Sequence, residues 1–123
     1  MTPYEAAGGA PGLRALARRF YELMDTLPEA RACRDIHPPD LSKAEEKLFE
    51  YLSGWLGGPP LFTDKYGPTM LRRRHLPARI GAREAEEWLI CFRRAWAETI
   101  GDERLSAVIL PQIEVLGRHM VNG

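Results

Sequence analysis

Arg72-Arg73-Arg74-His75-Leu76-Pro77, with Trp88 thirteen residues beyond the histidine, gathers the side chains of this chain best suited to chemistry. Proline is about to stop a very short helix there, which holds an imidazole at one height and aims it into a pocket. By itself the hexapeptide reads more readily as an ordinary segment, because histidine beside proline is common in loops and at surfaces. Its three arginines lack interleaved aromatics, so they form a solvated face rather than a nucleic-acid patch.

The elements that must position these residues read as helix almost throughout. Leu13, Leu16, Ala17, Phe20, Tyr21, Met24 and Leu27 fall at three-and-four spacing and predict a helix that Pro28 ends. Asp40-Leu41-Ser42-Lys43 opens a second, carried by Leu41, Ala44, Leu48, Leu52 and Trp55 up to the break at Gly57-Gly58-Pro59-Pro60. A third is expected from about Ala82 to Ile100, burying Ala85, Trp88, Leu89, Phe92 and Trp96. Asp102 is placed to cap a fourth, with Leu105, Val108, Ile109, Ile113, Leu116 and Met120 on its apolar side and Pro111 expected to kink it. Between the second and third lies a long Pro- and Gly-rich crossover, Gly57 to Gly81, whose one helix candidate is Met70 to His75; loops of this length in a small domain are usually functional. No run alternates with the period of a strand. The reading is all-α: a single domain over residues 1–123, its four main helices paired into a two-over-two sandwich.

Composition narrows the function classes. The 123 residues carry 17 basic and 17 acidic side chains, so no net field favours a polyanion and nucleic acid is not an expected partner. Cys33 and Cys91 lack paired spacing, and Cys91 sits on an apolar helical face, which fits a reduced, cytoplasmic protein. The start, Met1-Thr2-Pro3-Tyr4-Glu5, has no signal-peptide character, and no run approaches the ~18 apolar residues of a membrane span.

In their order and spacing, Gly8-Gly9, Phe20-Tyr21, Ala44-Glu45-Glu46-Lys47-Leu48, Trp55-Leu56-Gly57-Gly58-Pro59, Leu71-Arg72-Arg73-Arg74-His75-Leu76-Pro77 and Trp88-Leu89-Ile90-Cys91 resemble the second group of the truncated haemoglobins. The resemblance covers nearly the whole chain and implies a truncated globin-like fold holding haem b. His75 matches the proximal iron ligand, whose neutral nitrogen binds ferrous haem and leaves the opposite face open to a diatomic ligand. Tyr21 and Trp88 match the distal donors, a phenol O–H and an indole N–H suited to the superoxide-like charge of bound dioxygen. Ala44 and Leu48 lie one turn apart on the distal helix; Ala44 stands where many globins place a gating histidine or glutamine and cannot donate. His37 occupies the corner position where relatives more often carry tyrosine or phenylalanine. There it would add a third hydrogen bond, hold a water or stay solvated, and its titration would make oxygen release vary between about pH 5 and 8. Lys47, Arg74 and Arg72 are the expected propionate partners, Arg74 first, and Leu71 and Ile80 the expected apolar haem contacts. Ala78 departs from the phenylalanine usual in the family just past the proximal His-x-Pro.

The resemblance thus implies a haem protein that binds dioxygen, carbon monoxide and nitric oxide reversibly, supplied by a reductase and existing as a monomer or homodimer. Peroxidase or nitric oxide dioxygenase activity is the alternative, since a polar distal face also favours O–O cleavage. A haem-free helical module binding a protein partner through its crossover loop is the reading from a different class.

Overall fold

The computed structural model describes residues 1–74 and 79–122, with the backbone alone at Leu71 and Arg72; His75, Leu76, Pro77, Ala78 and Gly123 lie outside the described residues. Its four long helices are α2 (Gly9–Thr26), α4 (Ser42–Trp55), α7 (Ala82–Thr99) and α8 (Glu103–His119). Four short helices join them: α1 (Pro3–Ala6), α3 (Arg31–Asp35), α5 (Leu61–Tyr66) and α6 (Leu71–Arg74), with a single 3-10 turn at Pro28–Ala30. No strand occurs among the described residues. No described helix is long and apolar enough to cross a membrane.

Two of the long helices, α2 and α8, have clear local start signals. α2 starts four residues earlier than the apolar spacing predicts. Gly8 and Gly9 take positive φ to turn the chain into it, and Pro11 falls in the first turn, where no intrahelical N–H partner is needed. Asp102 caps α8 as expected, its Oδ1 accepting from Leu105 N at 2.8 Å. α8 runs unbroken through Pro111. At the front of the chain, Thr2 and Glu5 form a reciprocal capping box that makes even the four residues of α1 a helix.

α2 is the central element, packing on α7 and α4, while α7 also packs on α8 and on α3. The core at these contacts contains Phe20, Phe92, Trp96, Leu13, Leu16, Met24, Leu52, Leu89 and Ile113, all essentially buried. α5 is a second helix inside the crossover, where only the Met70–His75 segment is expected from sequence. It is tied to α4 by Lys65 Nζ to Glu50 Oε2 at 3.1 Å. Val108 also departs from expectation, being 56% exposed. Among the described elements α8 packs chiefly on α7, so a narrow stripe at four-residue spacing, Leu105, Ile109, Ile113 and Gly117, suffices to bury its inner face.

The entry to α2 is tight enough to test. A Cβ on Gly12 would lie 2.0 Å from the carbonyl oxygen of Ala7, which is backbone and cannot rotate away. Glycine to alanine inside a helix ordinarily stabilises by up to about 1 kcal/mol. Here the sign reverses: Gly12→Ala is expected to lower unfolding stability by about 1–3 kcal/mol, the range for forced overpacking, read as a reduced urea midpoint at unchanged m-value.

Candidate functional site

α2, α3, α4, α5, α7 and α8 enclose one large cavity of about 460 Å3. This is the size class of a small-molecule or cofactor site. Tyr21, His37, Ala44, Lys47, Leu48, Arg74, Ile80 and Trp88, eight of the residues singled out from sequence, all line it. The proximal candidate His75 lies outside the described residues, as do the side chains of Leu71 and Arg72.

One wall is built by α2 and α7. Phe20, fully buried, meets the Tyr21 ring edge-on at 4.8 Å and the Trp88 ring at 5.1 Å, so a single side chain sets both polar aromatics. Trp88 stacks on Phe92 at 5.4 Å with 16° between planes, which fixes the indole further. Trp88 is half-buried rather than fully buried as its helical spacing suggests, because its ring faces the cavity and not the helix interface. Among the described residues neither the Tyr21 hydroxyl nor the Trp88 N–H has a hydrogen-bond partner. Two such donors on one apolar cavity suit a ligand that carries negative charge. Burial pushes the Tyr21 hydroxyl well above its ordinary range, so it remains a phenol donor.

His37 sits half-buried at the end of the α3 corner, its ring 6.1 Å from that of Tyr21. Its Nδ1 donates to the carbonyl of Cys33 at 2.8 Å. A carbonyl can only accept, so this bond puts the proton on Nδ1. Cys33 N in turn donates to the buried carboxylate of Glu87 at 2.9 Å.

The opposite wall was not foreseen from sequence. Tyr51, Phe62 and Tyr66 form a run of ring contacts, Tyr51 to Phe62 at 6.2 Å and Phe62 to Tyr66 at 4.9 Å. Tyr51 was legible, lying three residues beyond Leu48 on the face that begins at Ala44. Phe62 and Tyr66 share one face of α5, whose six residues between Pro60 and Gly67 are too few for periodicity to reveal.

At the mouth stand the two described cations. Lys47 Nζ lies 5.4 Å from the Tyr66 ring centroid. Arg74 packs its guanidinium over Phe62 and donates to the carbonyls of Tyr66, Pro68 and Thr69 at 2.8 to 2.9 Å. It therefore serves first as a clamp on the α5–α6 turn, with Nη1 outside those bonds. Ile80 is pinned by a reciprocal pair of hydrogen bonds with Asn122, each 2.8 Å, which fixes where the chain enters α7.

These residues fit haem: apolar and aromatic walls for a porphyrin, cations at the mouth for its propionates, and orphaned donors on one side. Among the described residues no cluster of His, Cys, Asp and Glu forms a metal site of its own. A single axial histidine is the remaining requirement.

Comparison with known proteins agrees with the geometry. The model of the family described as bacterial-like globin matches residues 2–122. A group 2 truncated hemoglobin of Bacillus subtilis is 37% identical over 120 residues, covering 98% of this chain and 88% of that protein. The group II 2-on-2 hemoglobin of Agrobacterium tumefaciens superposes with a TM-score of 0.97 at 57% identity, covering 99% of this chain and 95% of the other. A truncated oxygen-avid haemoglobin from Bacillus subtilis superposes at 0.90 with 36% identity, over 99% of this chain and all of that one.

The same burial that keeps Tyr21 protonated acts on two thiols: Cys33 is pushed up to about 12 and Cys91 to about 11. Each raised group holds its proton in the folded state after the unfolded chain has lost it, so stability is full below the unfolded values near 9 and falls as pH rises. Each such group contributes a slope of up to about 1.4 kcal/mol per pH unit in that window. Urea midpoints are expected to be flat in this respect up to about pH 8 and to drop steeply above about pH 9. Cys33→Ser with Cys91→Ala should reduce the slope.

Proposed function

The chain belongs to the bacterial-like globin family, among the truncated haemoglobins of the second group, and from that premise we propose that it binds haem b and, at the ferrous iron, dioxygen. Bound haem supplies the iron centre at which a diatomic ligand binds reversibly. The protein's part is to hold the cofactor, exclude water and present donors to the ligand. The observation that carries the reading is the pair of donors, Tyr21 O–H and Trp88 N–H, unpartnered among the described residues and set on one cavity by one buried phenylalanine.

In this reading His75 would be the residue that holds the haem iron. Lys47 and Nη1 of Arg74, which has no hydrogen bond among the described residues, would hold the propionates, and Arg72, Leu71 and Ile80 would complete the cofactor's surroundings. Ala44 and Leu48 form an apolar ceiling that cannot donate, so discrimination in favour of a polarised ligand falls to Tyr21 and Trp88. Charge-assisted bonds from these two hold dioxygen more firmly than carbon monoxide, which carries less charge on its outer atom. A relative of this length described as oxygen-avid supports retention as the outcome. Nitric oxide fits the same space.

The protein should purify red with a Soret band; a colourless sample that gains no such band with haemin overturns the reading. His75→Ala is expected to abolish or severely weaken haem coordination. Trp88→Phe should speed oxygen dissociation by at least about tenfold, the worth of one charge-assisted hydrogen bond, with a smaller change for carbon monoxide. Stopped-flow displacement measures both rates.

A further inference from the structure

Glu87 is a carboxylate only 7% exposed, on α7 immediately before Trp88. Burying a charge this way is costly unless it is paired and hydrogen-bonded. Both oxygens are used: Oε2 takes Arg83 Nε at 3.0 Å, and Oε1 takes the buried N–H of Cys33 at 2.9 Å. Arg83 is largely solvent-exposed, so that ion pair alone cannot explain burial of the carboxylate. The Cys33 bond reaches across 54 residues to the corner that carries His37. The other side of that residue, the Cys33 carbonyl, receives Nδ1–H of His37.

We propose that Glu87 is a positioning residue for the distal cavity: through Cys33 it holds the α3 corner against α7 and keeps the His37 proton on Nδ1. Glu87 touches neither ligand nor cofactor. Its carboxylate anchors Cys33 by the N–H, the Ile36 N–H helps to orient the Cys33 carbonyl, and that carbonyl selects the imidazole tautomer. Whatever Nε2 of neutral His37 meets, it meets as an acceptor. The third donor to the ligand that the sequence suggests is then not supplied by neutral His37, and the burden rests on Tyr21 and Trp88. Because Glu87 and Trp88 are neighbours on one helix, the anchor also sets the corner's distance from the indole.

This inference rests on the haem reading only for its setting, and the test keeps the two apart. In carbonmonoxy protein with 15N-labelled histidine, long-range 1H–15N spectra report each ring's tautomer, and His37 is assigned by loss of its signals in His37→Gln. At alkaline pH, where the ring is neutral, wild type is expected to show His37 with Nδ1 protonated and Nε2 bare. Glu87→Ala should shift that tautomer towards Nε2–H or a mixture and raise Cys33 amide exchange at least about tenfold. Glu87→Gln, whose amide oxygen still accepts from Cys33 N, should restore both.

A wild-type His37 protonated on Nε2 overturns the proposal, whether or not Glu87→Ala folds. So does a folded Glu87→Ala with unchanged tautomer and unchanged Cys33 exchange. A sample lacking a Soret band would overturn the haem reading instead, while the His37 tautomer in that same protein still decides the role of Glu87.

Discussion

The donor wall of the cavity depends on the place of Phe20 between α2 and α7. Its ring is fully buried and touches three other rings, those of Tyr21, Trp88 and Phe92. Edge-to-face contacts add about 0.5–1.5 kcal/mol each beyond the area they bury. They are also directional, and direction matters more here than energy. Tyr21 follows Phe20 in sequence and so leaves the helix about 100° around from it, towards the cavity. Trp88 comes from another helix and is brought to the same cavity because it packs against the same phenylalanine. A leucine at position 20 would fill much of the volume and specify neither ring.

Several buried polar groups are satisfied internally, whereas Glu50 Oε1 has no hydrogen-bond partner among the described residues. Glu87 is buried with both oxygens engaged, Ser53 Oγ donates to Pro59 O at 2.7 Å, and the Trp96 N–H donates to Ser106 Oγ at 2.7 Å. These bonds join segments distant in sequence or lock turns, and each satisfies a group whose isolation would cost about 1–3 kcal/mol. The donors of Tyr21 and Trp88 have no such internal partner among the described residues. Trp96 and Trp88 lie on the same helix and stack on opposite ends of one phenylalanine, yet only Trp96 is satisfied by the protein. That contrast separates an indole whose N–H is spent inside the core from one whose N–H stays available at the cavity.

Much of this was legible in the sequence, and what was hidden has physical causes. Long amphipathic helices repeat their apolar residues over several turns, so α2, α4, α7 and α8 could be read directly, as could Asp102 as a cap. Tyr21, Ala44, Leu48 and Trp88 then meet because each lies on the inner stripe of its helix. α5 has too few residues to repeat anything, and its Phe62 and Tyr66 could be placed only by tertiary contacts. The roles of Glu87 and Arg74 were hidden for another reason. Nothing in the sequence pattern marks a glutamate beside the indole, and Arg74 is expected from sequence only as a propionate partner; folding alone brings the Cys33 N–H to one and three backbone carbonyls to the other. Val108 shows the converse error, an apolar residue counted as core on a helix that needs only a narrow buried stripe.

The cavity itself is the last step of the argument. A dry void of about 460 Å3 would cost on the order of 10 kcal/mol at the ~24 cal/mol per Å3 found for cavities left in protein cores. That equals the entire stability of an ordinary small domain. Space on this scale between well-packed walls is therefore not a packing defect that the chain tolerates. It is retained because the aromatic wall on α4 and α5 and the donor wall on α2 and α7 are each held by their own contacts, Lys65–Glu50 on one side and the Phe20 cluster on the other. The two walls are joined where α2 packs on α4 and stand apart across the cavity, so the space lies between elements that are each anchored in the core. Binding a cofactor there would then contribute to stability as well as to function, since any ligand that prefers the folded state draws the equilibrium towards it.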